Sequence, residues 1–230
     1  MTNLIFATAF FLFTHIGIAG TGLRGTLVER IGHRNYIVFY SLISAAGTIW
    51  LFAAYVGAPY VELWGQLYSL RLAALIVMFL SFAFIAVGLT SSPSTLFGDA
   101  ALEYRLDDAP GIVRVTRHPI LVGLLLWSVI HMIVNGDTAA LILFGSLTLL
   151  TALGIVSMES KRQRRLGDDW PAFAAATSIT PFLAILQRRT RLAPGEIGWW
   201  RLALAAVAFL AMLDLHVRLL GVSPLPAGLL

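Results

Sequence analysis

The chain has 230 residues, of which 58% are hydrophobic and 12% charged, with a formal net charge of +4. So apolar a composition excludes an ordinary soluble domain and points to a polytopic membrane protein. The absence of cysteine excludes disulfides, thiolate metal sites, a cysteine nucleophile and c-type haem attachment. The basic residues lie between apolar runs and form no continuous surface for a nucleic acid, so no nucleic-acid partner is expected.

Six apolar runs reach spanning length, which is about 20 residues for a hydrocarbon core of about 30 Å. They lie near 3–22, 36–57, 70–91, 118–134, 138–158 and 199–220. The expected fold is all-α, a single membrane domain over 1–230 built as a bundle of about six transmembrane helices. No charged n-region precedes the first run and no small-residue cleavage site follows it, so it reads as a retained helix. Of the 16 Lys and Arg, 14 fall in segments 24–34, 92–117 and 159–201, which alternate along the chain. The positive-inside rule makes those segments cytoplasmic, the loop 159–198 included, and puts both termini in the periplasm of a bacterial inner membrane. Arg71 and Arg218, the two exceptions, stand near helix ends where they can snorkel.

In the first helix His15 precedes Gly17, Gly20 and Gly22, small residues that let helices approach closely. His15 reads either as a neutral histidine bonded to a neighbouring helix or as an axial haem ligand. The second helix sets Tyr36, Tyr40, Ser41 and Ser44 on or near one face, the pattern of interhelical hydroxyl contacts. His33, in the basic loop before it, reads as solvated. Pro59, Glu62, Trp64 and Tyr68 form a short outer loop with an aromatic belt. The third helix is almost wholly apolar. Residues 92–117 then break the pattern with Pro93, Gly98, Pro110 and Gly111 and carry Asp99, Glu103, Asp107 and Asp108. No metal-ligand spacing links these carboxylates, so a solvated loop is expected.

The fourth helix opens on the polar cap Arg117-His118-Pro119, where proline suits a first turn, and ends on Asn135-Gly136-Asp137. At about 1.5 Å per residue, His131 lies roughly 20 Å along it, too deep to snorkel. Ser128, His131 and Asn135 form one polar stripe at i, i+3, i+7. An intramembrane histidine is a functional candidate, and a structural hydrogen-bonding role is its equal competitor. His118 lies about 220° around the helix from His131, so the two cannot share one ion.

The fifth helix ends at Glu159 and the basic run Lys161 to Arg165. Trp170, Phe173, Phe182 and Leu186 follow among polar residues, which suits either a surface-lying amphipathic segment or a lid over an inner-face cavity. In the sixth helix Asp214 and Arg218 pair at i, i+4, and His216 sits near the outer end.

Several stretches carry a family resemblance: the first-helix histidine followed by Arg24, NYIVFYSLIS, Leu63-Trp64, RVTRHPILVGLLLWSVIHMIVNGD, DWPAFAAATSITPFLAI and HVRLLGVSPLP. The chain resembles the NnrU-type integral membrane proteins, a family that also includes the plant and bacterial 15-cis-zeta-carotene isomerases. NnrU membership implies an association with expression of nitrite and nitric oxide reductases in denitrification, with nitric oxide or a hydrophobic small molecule as the partner. The isomerase kinship implies haem b held between two histidines, matching His15 and His131, and ferrous iron that converts a cis double bond of a polyene. A cysteine three residues before the second ligand in that group is Ser128 here, which removes any thiolate exchange. Ser128, Asn135, Arg117 and His118 complete the residues expected around the cofactor.

A second resemblance, of RHPILVG, Glu159 and LGDDWPAF, is to membrane isoprenylcysteine and phospholipid methyltransferases. It implies an S-adenosylmethionine site at Arg117, His118 and Glu159, with Met158-Glu159 in place of the usual paired glutamates. A non-enzymatic assembly factor is the remaining reading. The nitrogen-oxide role with haem on His15 and His131 is the main expectation, and no protein partner is legible.

Overall fold

A computed structural model describes residues 1–91, 111–192 and 194–226. Among these the regular structure is helical, with a single isolated β-bridge between Glu62 and Asp137. The carboxylates Asp99, Glu103, Asp107 and Asp108 lie outside the described residues.

Apolar helices occur at each of the six expected places. Four are long and apolar enough to cross a membrane by length and composition, namely His33–Val56, Tyr68–Thr90, Thr138–Ala176 and Trp199–Leu220. A fifth crossing counts if the bent pair Thr2–Ile18 and Leu23–Ile31 is one span, and Pro119–Asn135 is shorter, at 17 residues. Many large apolar side chains on these helices are exposed, Val207, Leu210 and Ile49 among them, an apolar surface that suits lipid and not water.

The chain divides into two compact units, the first comprising Met1–Leu67 with His131–Leu150 and the second Tyr68–Ile130 with Thr151–Leu230.

In the first unit α1 (Thr2–Leu12) continues as a π-helical turn over Phe13–Ile18. The expected helix 3–22 therefore stops early. A side chain at Gly20 would meet the Ile16 carbonyl oxygen at 2.6 Å, and the chain turns by 77° into α2 (Leu23–Ile31). α3 (His33–Val56) returns antiparallel to α1, because His15 meets Ser44 while Trp50 donates to Asn3 at 3.1 Å.

The end of this unit is a backbone knot built on the NGD turn. The Gly136 carbonyl accepts the amides of Leu63, Trp64 and Gly65 at 2.9, 3.0 and 3.1 Å, and the Trp64 indole donates to the Ile133 carbonyl at 2.8 Å. Gly136 has φ 62°, and a Cβ there would overlap the Gly65 carbonyl, so only glycine fits. Asp137 accepts from the Ala140 amide at 3.0 Å and so caps the helix that follows. The motif is thus explained by the scaffold.

In the second unit α4 (Arg71–Thr90) packs along α9 (Trp199–Leu220). Ser81 on α4 donates to the Gly123 carbonyl at 2.7 Å, on α6 (Pro119–Asn135). α7 (Thr138–Leu166) does not end at 158. Its 29 residues make a rod of about 44 Å, so the turns bearing Glu159 and Arg162 run past the apolar stretch.

The segment after α7 is neither a detached surface helix nor a plain loop. Trp170 and Phe173 of α8 (Trp170–Ala176) join Phe84, Val87, Val122 and, from α5 (Gly111–Val115), Ile112, Val113 and Val115 in one apolar cluster. Backbone bonds from Arg117 to Ser178 and from Phe182 to Val115, at 2.9 and 2.8 Å, seal it. The Asp214–Arg218 pair forms at 2.6 Å as expected, and His216 Nδ1 lies 2.7 Å from the Val222 carbonyl, a structural use of that ring.

Candidate functional site

The first-unit site is built on His15. Its Nδ1 lies 2.8 Å from the Phe11 carbonyl, four residues back, where a ring N–H must donate. That choice fixes the tautomer and leaves Nε2 as the lone pair, which accepts the Ser44 hydroxyl at 2.9 Å. The ring is bracketed by Phe11, with centroids 4.3 Å apart, and by the edge of Tyr40 at 6.3 Å. Beside it Tyr40, Ser41, Ser44, Ala45, Thr48 and Ile49 line a groove of about 440 Å³ along α3.

The arrangement suits metal ligation, because an imidazole whose second nitrogen donates to a carbonyl is held in one orientation and one tautomer. Among the described residues no three His, Asp or Glu converge on a metal position, so a prosthetic group with its own equatorial ligands is the kind that one histidine can hold. The residues fit haem at His15.

His131 occupies the other end of the same unit, its ring 4.9 Å from Phe144, which in turn meets Tyr55 at 5.9 Å. It stands four residues, or about 6 Å, before the end of α6, whereas Ser44 stands twelve residues, or about 18 Å, before the end of α3. The loop 61–67 ties those two helix ends together. The imidazoles are therefore offset in depth by about 12 Å, so one iron shared between them needs tilted helices. Asn135 is the half-buried last residue of α6, and Ser128 is fully buried with its hydroxyl on the Leu125 carbonyl at 3.2 Å.

The second unit gathers Arg117 and His118, expected at an interface, into a buried polar cluster. Glu159 accepts from Arg117 Nε at 3.0 Å, from a second Arg117 nitrogen, and from His118 Nε2 at 2.7 Å, while Arg162 Nη1 lies 3.8 Å away. Arg117 also donates to Thr177 at 3.2 Å and lies over the Trp170 ring. Burial pushes the His118 imidazole below its usual range; Glu159 pulls the other way, and Arg162 and Arg117 add to the lowering. The His118 Nε2–H donates to the carboxylate and, among the described residues, Nδ1 has no partner. The cluster clamps the α5–α6 corner to α7 and to the segment after α8. Arg162 and Thr177 were not legible from the sequence, although the i, i+3 spacing of Glu159 and Arg162 was there to be read.

The family model described as "NnrU protein" matches residues 3–224, nearly the whole chain. The chain belongs to the NnrU family. Within reach of this NnrU-family chain are two curated relatives, both named "15-cis-zeta-carotene isomerase, chloroplastic". That of Arabidopsis thaliana is 30% identical over 191 residues, covering 78% of this chain and 49% of the relative. That of Zea mays is 26% identical over 200 residues, covering 82% and 52%. The chain thus spans about half the length of the curated relatives it matches. No solved structure matches it.

Proposed function

We propose that this NnrU-family protein is a membrane-embedded cis–trans isomerase of an apolar polyene, with haem b held at His15; His131 serves as its second ligand only where helix tilt removes the depth offset between the two imidazoles. The observation that carries the reading is the fixed tautomer of His15, whose Nε2 lone pair is presented beside an open, largely apolar groove. The two isomerases among its relatives support the substrate class. A role in nitrogen-oxide respiration rests on family membership alone, so the isomerase reading ranks first.

Isomerisation moves no group and needs no net proton transfer, so it asks little of polar side chains. What the chain must supply is a dry apolar wall, an oriented ligand and exclusion of water. Haem held at His15 would supply ferrous iron to act on the double bond. Phe11 and Tyr40 hold the imidazole plane, and the Phe11 carbonyl holds the Nδ1 proton.

The test is an absorption spectrum of the detergent-purified chain, followed by incubation of the reduced protein with 15-cis-zeta-carotene and chromatography of the isomers. Wild type should carry b-type haem and convert the substrate, and His15→Ala should lose both. A haem-loaded wild type that leaves the polyene unchanged refutes the isomerase reading. Binding of S-adenosylmethionine with no haem would shift attention to Arg117, His118 and Glu159.

A further inference from the structure

We propose that Ser44 is a positioning residue that sets how readily His15 gives its free nitrogen to iron; the inference rests on the haem reading above. Nδ1 is committed to the Phe11 carbonyl, so Nε2 has one lone pair, and Ser44 already holds it at 2.9 Å. A metal needs the same lone pair. The hydroxyl must leave before ligation, and rotation about a single bond takes it away.

The helix offers it a second place. A serine hydroxyl on a helix reaches the carbonyl four residues back, which here is that of Tyr40. Thr48 makes this bond in the next turn, to the Ser44 carbonyl at 2.8 Å. The Tyr40 side chain also interacts with Ser44, so the released hydroxyl meets polar atoms and not bare hydrocarbon.

Without a ligand, Ser44 satisfies a half-buried nitrogen that would otherwise lack a partner, and it ties α1 to α3. With a ligand it is a competitor. Ring orientation survives its departure, because the Phe11 carbonyl and the Phe11 and Tyr40 rings stay in place. A net neutral hydrogen bond corresponds to roughly a fivefold change in an equilibrium, and that is the size of the effect expected.

The experiment titrates hemin into the full-length protein purified without haem, following the absorption band for wild type, Ser44→Ala, Ser44→Thr, Ser44→Val and His15→Ala. Ser44→Ala should bind hemin about fivefold more tightly and, without hemin, unfold at a lower temperature. Threonine and valine share one shape, so the Val variant should bind more tightly than the Thr variant by a similar factor. That pair keeps the test sharp if the Ala variant folds poorly. Hemin affinity in Ser44→Ala and Ser44→Val equal to or weaker than that of their hydroxyl-bearing counterparts, with His15→Ala still losing binding, overturns the role of Ser44 alone. No hemin binding by wild type, or equal binding by His15→Ala, overturns the His15 reading and this inference with it.

Discussion

Replacing Glu159 by alanine tests whether the buried cluster is a clamp. One carboxylate, 15% exposed, faces Arg117, His118 and Arg162, whose side chains are 8%, 0% and 0% exposed. Its removal leaves two buried guanidiniums without their shared counter-charge, while His118 loses the acceptor for its Nε2 proton. Breaking a buried ion pair from one side costs about 3–5 kcal/mol. For a chain of this size each kcal/mol moves the melting temperature by about 2–4 °C, so the fall should be about 6–20 °C. Thermal unfolding in detergent, followed by tryptophan fluorescence, measures it. Glu159→Gln keeps one acceptor oxygen and should lose less. A Glu159→Ala melting temperature within about 3 °C of wild type would show that water or other carboxylates carry these charges, and the clamp would be wrong.

If His131 is the second haem ligand, His131→Ala should keep haem but change the spectrum from a two-imidazole, low-spin form to a high-spin one; an unchanged spectrum leaves iron on His15 alone. The lowered pKa of His118 means that the unfolded chain takes up its proton first, so stability should be full above about pH 6.5 and fall on acidification. Melting temperatures between pH 7.5 and 5.5 should show that slope in wild type and a shallower one in His118→Asn, and equal slopes would contradict it. Gly136→Ala combines a left-handed φ of 62° with overlap on the Gly65 carbonyl, and should cost about 2 kcal/mol or more in unfolding measurements. A neutral outcome would mean that the knot of residues 61–67 with the NGD turn can open at no cost.

Much of the fold was legible, because an apolar run of spanning length has few alternatives to a helix. The misplaced boundaries have local causes. The first run stays apolar through Ile18 and Ala19, so composition hid the break, which follows the π turn at Gly20, where a side chain would not fit. The fifth run turns charged at Glu159 and was cut there, yet Met158 through Leu166 is rich in good helix formers, and α7 runs on. Arg117 and His118 read as an interfacial polar cap, because a basic pair before a helix-starting proline belongs there. What buried them is Glu159, more than forty residues away in sequence and invisible to any local pattern. His15 was recognised as a candidate, but its tautomer depends on the Phe11 carbonyl and Ser44, and a periodicity argument does not give a hydrogen-bond direction.

Once the NGD turn is accounted for as a helix cap and a backbone knot, and Arg117-His118 as part of a clamp, the strongest motifs of the chain no longer need to be chemical. Among the described residues, those left for chemistry are then two intramembrane histidines, one with an unprotonated nitrogen, a few hydroxyls and an apolar groove. That is a poor inventory for group transfer, which needs a nucleophile, a base and a place for a leaving group. It is an adequate one for rotating a double bond, where a hydrocarbon offers nothing to hydrogen-bond. Discrimination among polyenes then falls to shape, since shape is the only property in which their isomers differ for an apolar wall. Were the proposed polyene the substrate, the weak substrate signature of the sequence would follow, because such a molecule presents no polar group to be recognised.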